Sequence, residues 1–306
     1  MTEFLVIGEC VADIVRVPGL PDVTHPGGSP ANVAYGLARL GRSTALLTQV
    51  GADPRGEAIR RRLVAAGVEV LGDGQEEVPT PTAVVTLDAR GQAAYEFHIR
   101  WTLRPAEPPA GVRHVHIGSI AAVTEPGART ALDLAARLRP EATVSYDPNV
   151  RAALFGERPR AVAAVERCVA LADLVKASEE DVAWLYPGET VRTVAKRWLA
   201  LGPAAVFVTL GAEGSLAFTA AQEVRGAALR TEVADTVGAG DSFMAAALDA
   251  LAGLKLLGSG ARPALAALHD VALCGVLRHA STAAALTVSR PGANPPDTAE
   301  LRAALG

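Results

Sequence analysis

The chain has 306 residues, half of them hydrophobic, with a formal net charge of −4 and no basic block. That composition suffices for one large α/β domain or two small ones and does not fit a disordered chain; the charge argues against nucleic acid and against an anionic membrane surface as partner, leaving small molecules. Cys10, Cys168 and Cys274 lie far apart without C-x-x-C spacing, so neither a disulfide framework nor a zinc site is indicated. The acidic amino terminus and the lack of any run of about eighteen apolar residues fit an unexported, cytoplasmic protein without a membrane span.

In chain order, Phe4 to Gly8 reads as an apolar strand, with Asp13 just beyond it as either a turn residue or a hydrogen-bond acceptor. A Pro- and Gly-rich stretch with apolar alternation at Val15, Val17 and Leu20 leads to "GGSPAN". There Gly27 and Gly28 permit close backbone approach, and Asn32 offers a donor and an acceptor at the start of a helix over Pro30–Leu40. The alternative is an ordinary proline-started helix with Asn32 in solvent.

A strand over Ser43–Val50, a helix over Pro54–Ala66 with a solvated arginine face, and a short strand over Val68–Leu71 follow. Period-two patterning from Thr80 to Ile99 around Asp88–Gly91 predicts a hairpin that interrupts the β/α alternation. Arg100, Trp101 and Thr102 sit at its return, where Trp101 either packs or offers a stacking face to a ligand. His114 and His116 share one face of a strand; without a third ligand a structural role is preferred to metal binding.

A helix over Glu125–Leu138 and a strand over Thr143–Tyr146 lead to Asp147-Pro148-Asn149-Val150-Arg151, which sets an acid, an amide and a guanidinium at a sheet edge. Further elements are a helix over Arg160–Leu171, strands over Leu174–Lys176 and Ala205–Thr209, a helix over Thr190–Ala200 between them, and a strand over Ser215–Phe218. "TLGAEG" suits nucleotide phosphates or is a plain hairpin turn. Thr231–Ala234 reads as a strand edge leading into "DTVGAGD" and an Ala-rich buried helix from about Gly240; a final helix spans Pro263–Ala285. A helix mouth with glycines at 238 and 240 is an anion site, and Asp241 there is either a cap or a base. Neither a Walker A sequence nor a dinucleotide Gly-x-Gly-x-x-Gly fingerprint occurs.

"DTVGAGD" at 235–241 and "GGSPANVAYGLARLG" at 27–41, with Gly51, Asp53 and Gly56 after it, resemble the two signatures of the ribokinase-like sugar kinases, also called the phosphofructokinase-B family. "DPN-x-R" resembles its fructokinase-like branch, whereas "HIRWTLRP" stands where that branch shows T-A-D or S-A-D. The resemblance covers essentially the whole chain. It implies one ribokinase-like α/β domain over 1–306 with a mostly parallel central sheet, and a β lid from about 12–30 and 78–104 that covers the sugar and carries a homodimer contact.

For the site, the resemblance implies that Asp241 is the catalytic base and that the Gly238-Ala239-Gly240 backbone is the anion hole. Asp13, Gly27, Gly28, Asn32, Arg100, Asn149 and Arg151 are the expected substrate-binding set. Lys176 and Glu179 (the N-x-x-E position, with lysine for asparagine), Thr209, Gly211 and Gly214 are expected on the ATP side, with Glu179 orienting Mg²⁺ through water and Asp235 holding K⁺. The expected activity is ATP-dependent phosphorylation of a sugar hydroxyl, with fructose or a 2-keto sugar acid as acceptor. A nucleoside kinase and a non-catalytic sugar-binding regulator are the alternatives.

Overall fold

The structure is a computed structural model that describes residues 2–17, 19–72, 77–87 and 93–306. The chain opens with β1 (Phe4–Ile7), β2 (Val11–Arg16), β3 (Val23–Gly27), α1 (Ser29–Arg39), β4 (Thr44–Leu47), α2 (Pro54–Ala65) and β5 (Glu69–Leu71). It continues with β6 (Thr82–Leu87), β7 (Ala93–His98), β8 (His114–Gly118), α3 (Gly127–Leu138), β9 (Thr143–Asp147), α4 (Ala152–Phe155), α5 (Arg158–Leu171) and β10 (Leu174–Ser178). The last third holds α6 (Glu179–Leu185), α7 (Val191–Leu201), β11 (Ala205–Thr209), β12 (Ser215–Phe218), β13 (Glu223–Gly226), α8 (Ala239–Gly253), α9 (Arg262–Ala266), α10 (Asp270–Val288) and α11 (Thr298–Leu305).

Among the described residues the main sheet has the order β13-β12-β11-β10-β9-β8-β1-β4-β5. Neighbours are parallel from β5 to β11, and the last two pairings, β11 with β12 and β12 with β13, are antiparallel. The continuous apolar runs of β1 and β4 follow from this arrangement, because a parallel strand covered by helices is buried on both faces. Phe4 and Val6 join one core layer with residues of α1, α8 and α10, while Leu5 and Ile7 join the other with residues of α3, α5 and α7. Strand order runs outward in both directions from β1, so the loops after β1 and β8 flank a topological switch point, where such sheets bind ligands, and those after β9 and β10 open at the same carboxyl edge.

A second sheet has the order β3-β2-β6-β7, with β2 and β6 parallel and the outer pairs antiparallel. These are the segments in which the sequence predicts the lid; the tip of its hairpin, 88–91, lies outside the described residues. Alternation puts Asp13, Val15, Ala83, Val85 and Phe97 on one face, and Ala12, Ile14, Thr82 and Val84, all buried, on the other.

Two predicted elements differ. Thr231–Ala234 is irregular and exposed; β13, which the sequence reading does not contain, ends the sheet at Gly226, and a loop carries the chain to α8. Pro263–Ala285 is two helices, because the chain breaks at Ala267–His269 and the His269 ring accepts the Ala272 N–H at 3.3 Å to cap α10. Among the described residues α10 alone is long and apolar enough to cross a membrane; it instead supplies Leu273, Val276, Leu277 and Ala280 to the core beside α8. Trp101 is a core residue: it is 2 % exposed, lies in the layer with Leu5 and Ile7, and donates its indole N–H to Ala121 O at 3.1 Å.

Candidate active site

The glycine turn before α8 is set by two close approaches. Gly238 caps the helix in the left-handed region at φ 77°, and a Cβ there would lie 2.6 Å from that of Ala293. A Cβ on Gly240 would lie 2.8 Å from Lys176 Nζ, so glycine there lets the lysine approach the helix mouth without shifting. The first-turn N–H groups and the positive end of the helix dipole meet there, an arrangement suited to an anion.

Asp241, in the first turn of α8, is 9 % exposed. Ser29 donates to its Oδ1 at 2.6 Å and Asn32 Nδ2 to its Oδ2 at 2.8 Å, so the first turn of α1 fixes both carboxylate oxygens. Gly28, at φ 100°, starts α1; a Cβ there would sit 2.5 Å from the Glu9 carbonyl. Asn32 thus contacts the acid as well as the cavity.

A cavity of about 1210 Å³ runs along the carboxyl ends of the strands and is closed on one side by the second sheet. At one end Asp13, Gly28, Asn32, Asn149 and Arg151 line it; at the other Thr209, Gly211 and Gly214 do, and the Gly238–Asp241 turn and Lys176 lie on its wall. Asp13 sits against Gly27, whose Cβ would fall 2.0 Å from Oδ2. Burial raises the Asp13 pKa to about 6, against the opposing pull of Arg151 and with a further push from Asp241. Asn149 takes φ 38° and donates its N–H to Asp147 Oδ1 at 3.2 Å, which turns the loop so that Arg151 reaches the wall.

Behind the helix mouth, Lys176 Nζ donates to Asp147 Oδ2 at 2.9 Å, both groups being buried. Burial disfavours the ammonium, but Asp147 and Asp181 outweigh it and raise the Lys176 pKa. Asp147 is pushed up to about 6 by burial despite Lys176, so at neutral pH the pair is ionic. Asp181 accepts the Val150 N–H at 2.7 Å and the Ser178 N–H at 2.8 Å, which clamps the "DPN-x-R" loop to the start of α6.

These observations put a base candidate, an anion cradle and a buried cation at the middle of one cleft. A sequence profile of the pfkB family of carbohydrate kinases matches residues 1–300. The chain belongs to that family. It is 34 % identical to a fructokinase of Klebsiella pneumoniae over 81 % of this chain and 83 % of the relative, and 33 % identical to one of Escherichia coli over 82 % and 85 %. A crystal structure of fructokinase from Vibrio cholerae O395 with fructose, ADP and calcium superposes with a TM-score of 0.82, 27 % identity and coverage of 100 % and 99 %. Fructokinase from Xylella fastidiosa with bound ATP shares the fold at a TM-score of 0.84 and 24 % identity, covering 100 % of this chain and 98 % of that one. The protein is an ATP-dependent sugar kinase with the ribokinase-like fold, transferring a phosphoryl group to a sugar hydroxyl.

The kinase cleft does not gather every residue expected there. Arg100 is exposed and lies off the cavity wall, where Phe97 and Ile99 stand instead, because strand alternation beside the hairpin turns it outward. Glu179 is exposed at the first position of α6 and also off the wall, whereas Glu180 and Asp181 line it. Asp235 is off the wall too; it accepts the Val237 N–H at 3.0 Å and the Gly292 N–H at 2.8 Å, tying the carboxyl-terminal loop to the α8 turn. Ser29, Asp181, Glu9 and Ser119 line the cavity without having been singled out from the sequence. Ser29 is inside "GGSPAN", three residues before the more conspicuous polar group Asn32.

Proposed function

We propose that the protein is a fructokinase: it transfers the γ-phosphoryl group of ATP to a hydroxyl of fructose, with Asp241 as general base. The observation that carries this reading is the single cleft in which a buried carboxylate held by α1 meets the first turn of α8. A sugar hydroxyl is a poor nucleophile at neutral pH. A fixed carboxylate takes its proton as the bond to phosphorus forms, while the Gly238, Ala239 and Gly240 amides and Lys176 face the charge of the transferred group. Asp13, Gly28, Asn32, Asn149 and Arg151 mark the sugar end, and Thr209, Gly211 and Gly214 the nucleotide end.

Magnesium fits this site as a phosphate-borne ion. Among the described residues no group of three or more His, Cys, Asp or Glu forms a protein cage, and Mg²⁺ commonly binds through nucleotide phosphates, water and one or two carboxylates. Glu180 and Asp181 are the wall carboxylates placed to orient such an ion, in preference to Glu179. When bound, the ion neutralises phosphate charge. Asp235 remains the proposed anchor of a K⁺ site, since a cation there would lock the loop that the acid already ties to Gly292.

The remaining parts of the reading are a single catalytic unit over 1–306 whose second sheet acts as a lid, a homodimer formed through that lid, and a cytoplasmic location. The fructokinase relatives favour fructose over a 2-keto sugar acid or a nucleoside. A coupled ADP-release assay over ketohexoses, sugar acids, pentoses and nucleosides tests this. Highest kcat/KM for fructose is expected; a higher value for any other acceptor rejects the assignment, and no turnover with any of them rejects the kinase mechanism.

A further inference from the structure

The sequence predicts a solvated arginine face on α2, and the structure takes Arg62 out of it. Arg62, in the last turn of α2, is half-buried. Its Nη1 donates to the Pro26 carbonyl of β3 at 3.2 Å, and its Nη2 donates to the Ala293 carbonyl of the carboxyl-terminal loop. The guanidinium carbon lies over the Tyr35 ring of α1, 4.4 Å from its centroid. A single side chain thereby joins α2 to β3, to α1 and to the carboxyl-terminal loop.

Each of these contacts adjoins a group that the kinase reading uses. Ala293, itself buried, is the residue against which Gly238 turns, since a Cβ on Gly238 would lie 2.6 Å from that of Ala293. The residue before it, Gly292, donates its N–H to Asp235 at 2.8 Å, at the start of the same turn. Tyr35 lies on α1 one helical turn after Asn32, which donates to Asp241 Oδ2. Pro26 leads directly into Gly27, which packs against Asp13, and Gly28, which opens α1. Pro26, Asn32, Tyr35 and Arg62 share the wall of a small recess, and Asn32 borders both that recess and the cavity. Arg62 is off the cavity wall, so its reach is to the residues that hold the site.

We propose that Arg62 is a positioning residue for phosphoryl transfer: from outside the cavity it holds the helix start that orients Asp241 in fixed relation to the loop that shapes the Gly238 turn. The inference rests on the reading of Asp241 as base and of that turn as anion cradle. The two parts come from opposite ends of the chain, and Ser29 and Asn32 join them on the cavity side through Asp241 itself. Arg62 joins them from behind. A guanidinium suits this task because its donors form a rigid planar fork, so two carbonyls bonded to one fork are held at a set separation and angle. The Tyr35 ring attracts the cation to its face and so fixes the plane of the fork. A displacement of about 1 Å between reacting groups, caused from a distance, costs on the order of 100-fold in rate.

The test is steady-state kinetics and thermal unfolding of the full-length wild type, Arg62→Ala, Arg62→Lys and Tyr35→Leu, with fructose or with the best acceptor found, where chemistry limits turnover. Asp241→Asn serves as the reference for loss of the base. Arg62→Ala is expected to lower kcat about 10- to 100-fold while the KM for ATP stays within about twofold. The nucleotide end, at Thr209, Gly211 and Gly214, lies on segments that Arg62 does not bond. Lysine keeps the charge without the fork, so Arg62→Lys should fall between wild type and Arg62→Ala. Tyr35→Leu keeps the fork and removes the ring face, for a decrease in kcat of about 2- to 5-fold.

Wild-type kcat in Arg62→Ala overturns the inference; if its melting temperature is lowered at the same time, Arg62 has a structural role only. A loss of kcat matched by an equal rise in the KM for ATP overturns it as well, because that pattern marks disruption of the whole cleft. If Arg62→Ala does not fold, Arg62→Lys and Tyr35→Leu are read by the same criteria. Wild-type kcat in Asp241→Asn strikes instead at the reading of the base, whatever the Arg62 variants do.

Discussion

At the scale of single residues, Asp241 is distinguished by how firmly it is held. Two side chains from α1 restrain both oxygens, which gives the carboxylate one orientation in the cleft. Asp241→Asn keeps the size but removes the proton acceptor, so kcat is expected to fall roughly 10²- to 10⁴-fold with near-normal ATP and sugar binding. Retention of wild-type kcat where chemistry limits turnover would remove Asp241 from the role of base. Ser29→Ala leaves the base in place with one restraint lost, and a kcat decrease of about 3- to 10-fold is expected, equivalent to one hydrogen bond. An effect confined to the sugar KM would show that Ser29 acts on substrate and not on the base.

Much of this site is legible in the sequence because its parts are local. "DTVGAGD" puts the glycines and the acid within one helix start, and "GGSPAN" puts Ser29 and Asn32 within another. What the sequence does not carry is that the two helix starts face each other, so Asn32 is read as a sugar ligand without its bond to Asp241. Glu179 is expected on the ATP side because the N-x-x-E spacing falls on it, and that spacing carries no helix phase. The Ser178 capping box fixes that phase and turns Asp181 inward.

At the scale of elements, the apolar and alternating strands were readable, whereas Thr231–Ala234 was misread because a β-branched pair in an exposed loop imitates a strand edge. The second sheet is the element proposed as a lid. Its Val15, Ala83, Val85 and Phe97 are half-buried on the face that carries Asp13. Apolar side chains left on one face of a small sheet are stabilised by whatever covers them, either bound sugar or the lid of a second copy. Amide hydrogen exchange in β2 and β6 should slow on adding fructose, or slow with increasing protein concentration as a dimer forms by light scattering. A monomer whose lid exchanges identically with and without sugar would rule out both forms of cover.

At the scale of the whole molecule, a row of buried polar groups crosses the main sheet beneath the cleft. His114 bonds Thr143 Oγ1 and Ser145 Oγ, each at 2.8 Å, and His116 Nδ1 bonds Ser145 Oγ at 2.8 Å; next in the row is the Lys176–Asp147 pair. Burial lowers the pKa of both imidazoles to about 3, with Lys176 contributing to the shift at His116, so both are neutral in the fold. Both imidazoles are thus engaged with strand hydroxyls inside the sheet.

Burial acts with opposite sign on the acids of the cleft. Glu9, Asp13 and Asp147 are raised to about 7, 6 and 6, so the folded chain binds more protons at these positions and their contribution to stability declines as pH rises through that range. For the histidines the unfolded chain binds more protons between pH 6.5 and about 3, and stability falls as pH falls through that window. The two effects partly cancel in the wild type, so a substitution is needed to expose either one. In His114→Gln/His116→Gln the amides lose the imidazole bonds, and the variant should be less stable than wild type at pH 7. It has no imidazole to charge on unfolding, so its deficit in melting temperature should shrink steadily as pH is lowered from 6.5 towards 4. Thermal unfolding of both proteins at several pH values measures this, and a deficit that stays constant would mean that these imidazoles do not titrate differently in the folded and unfolded chain.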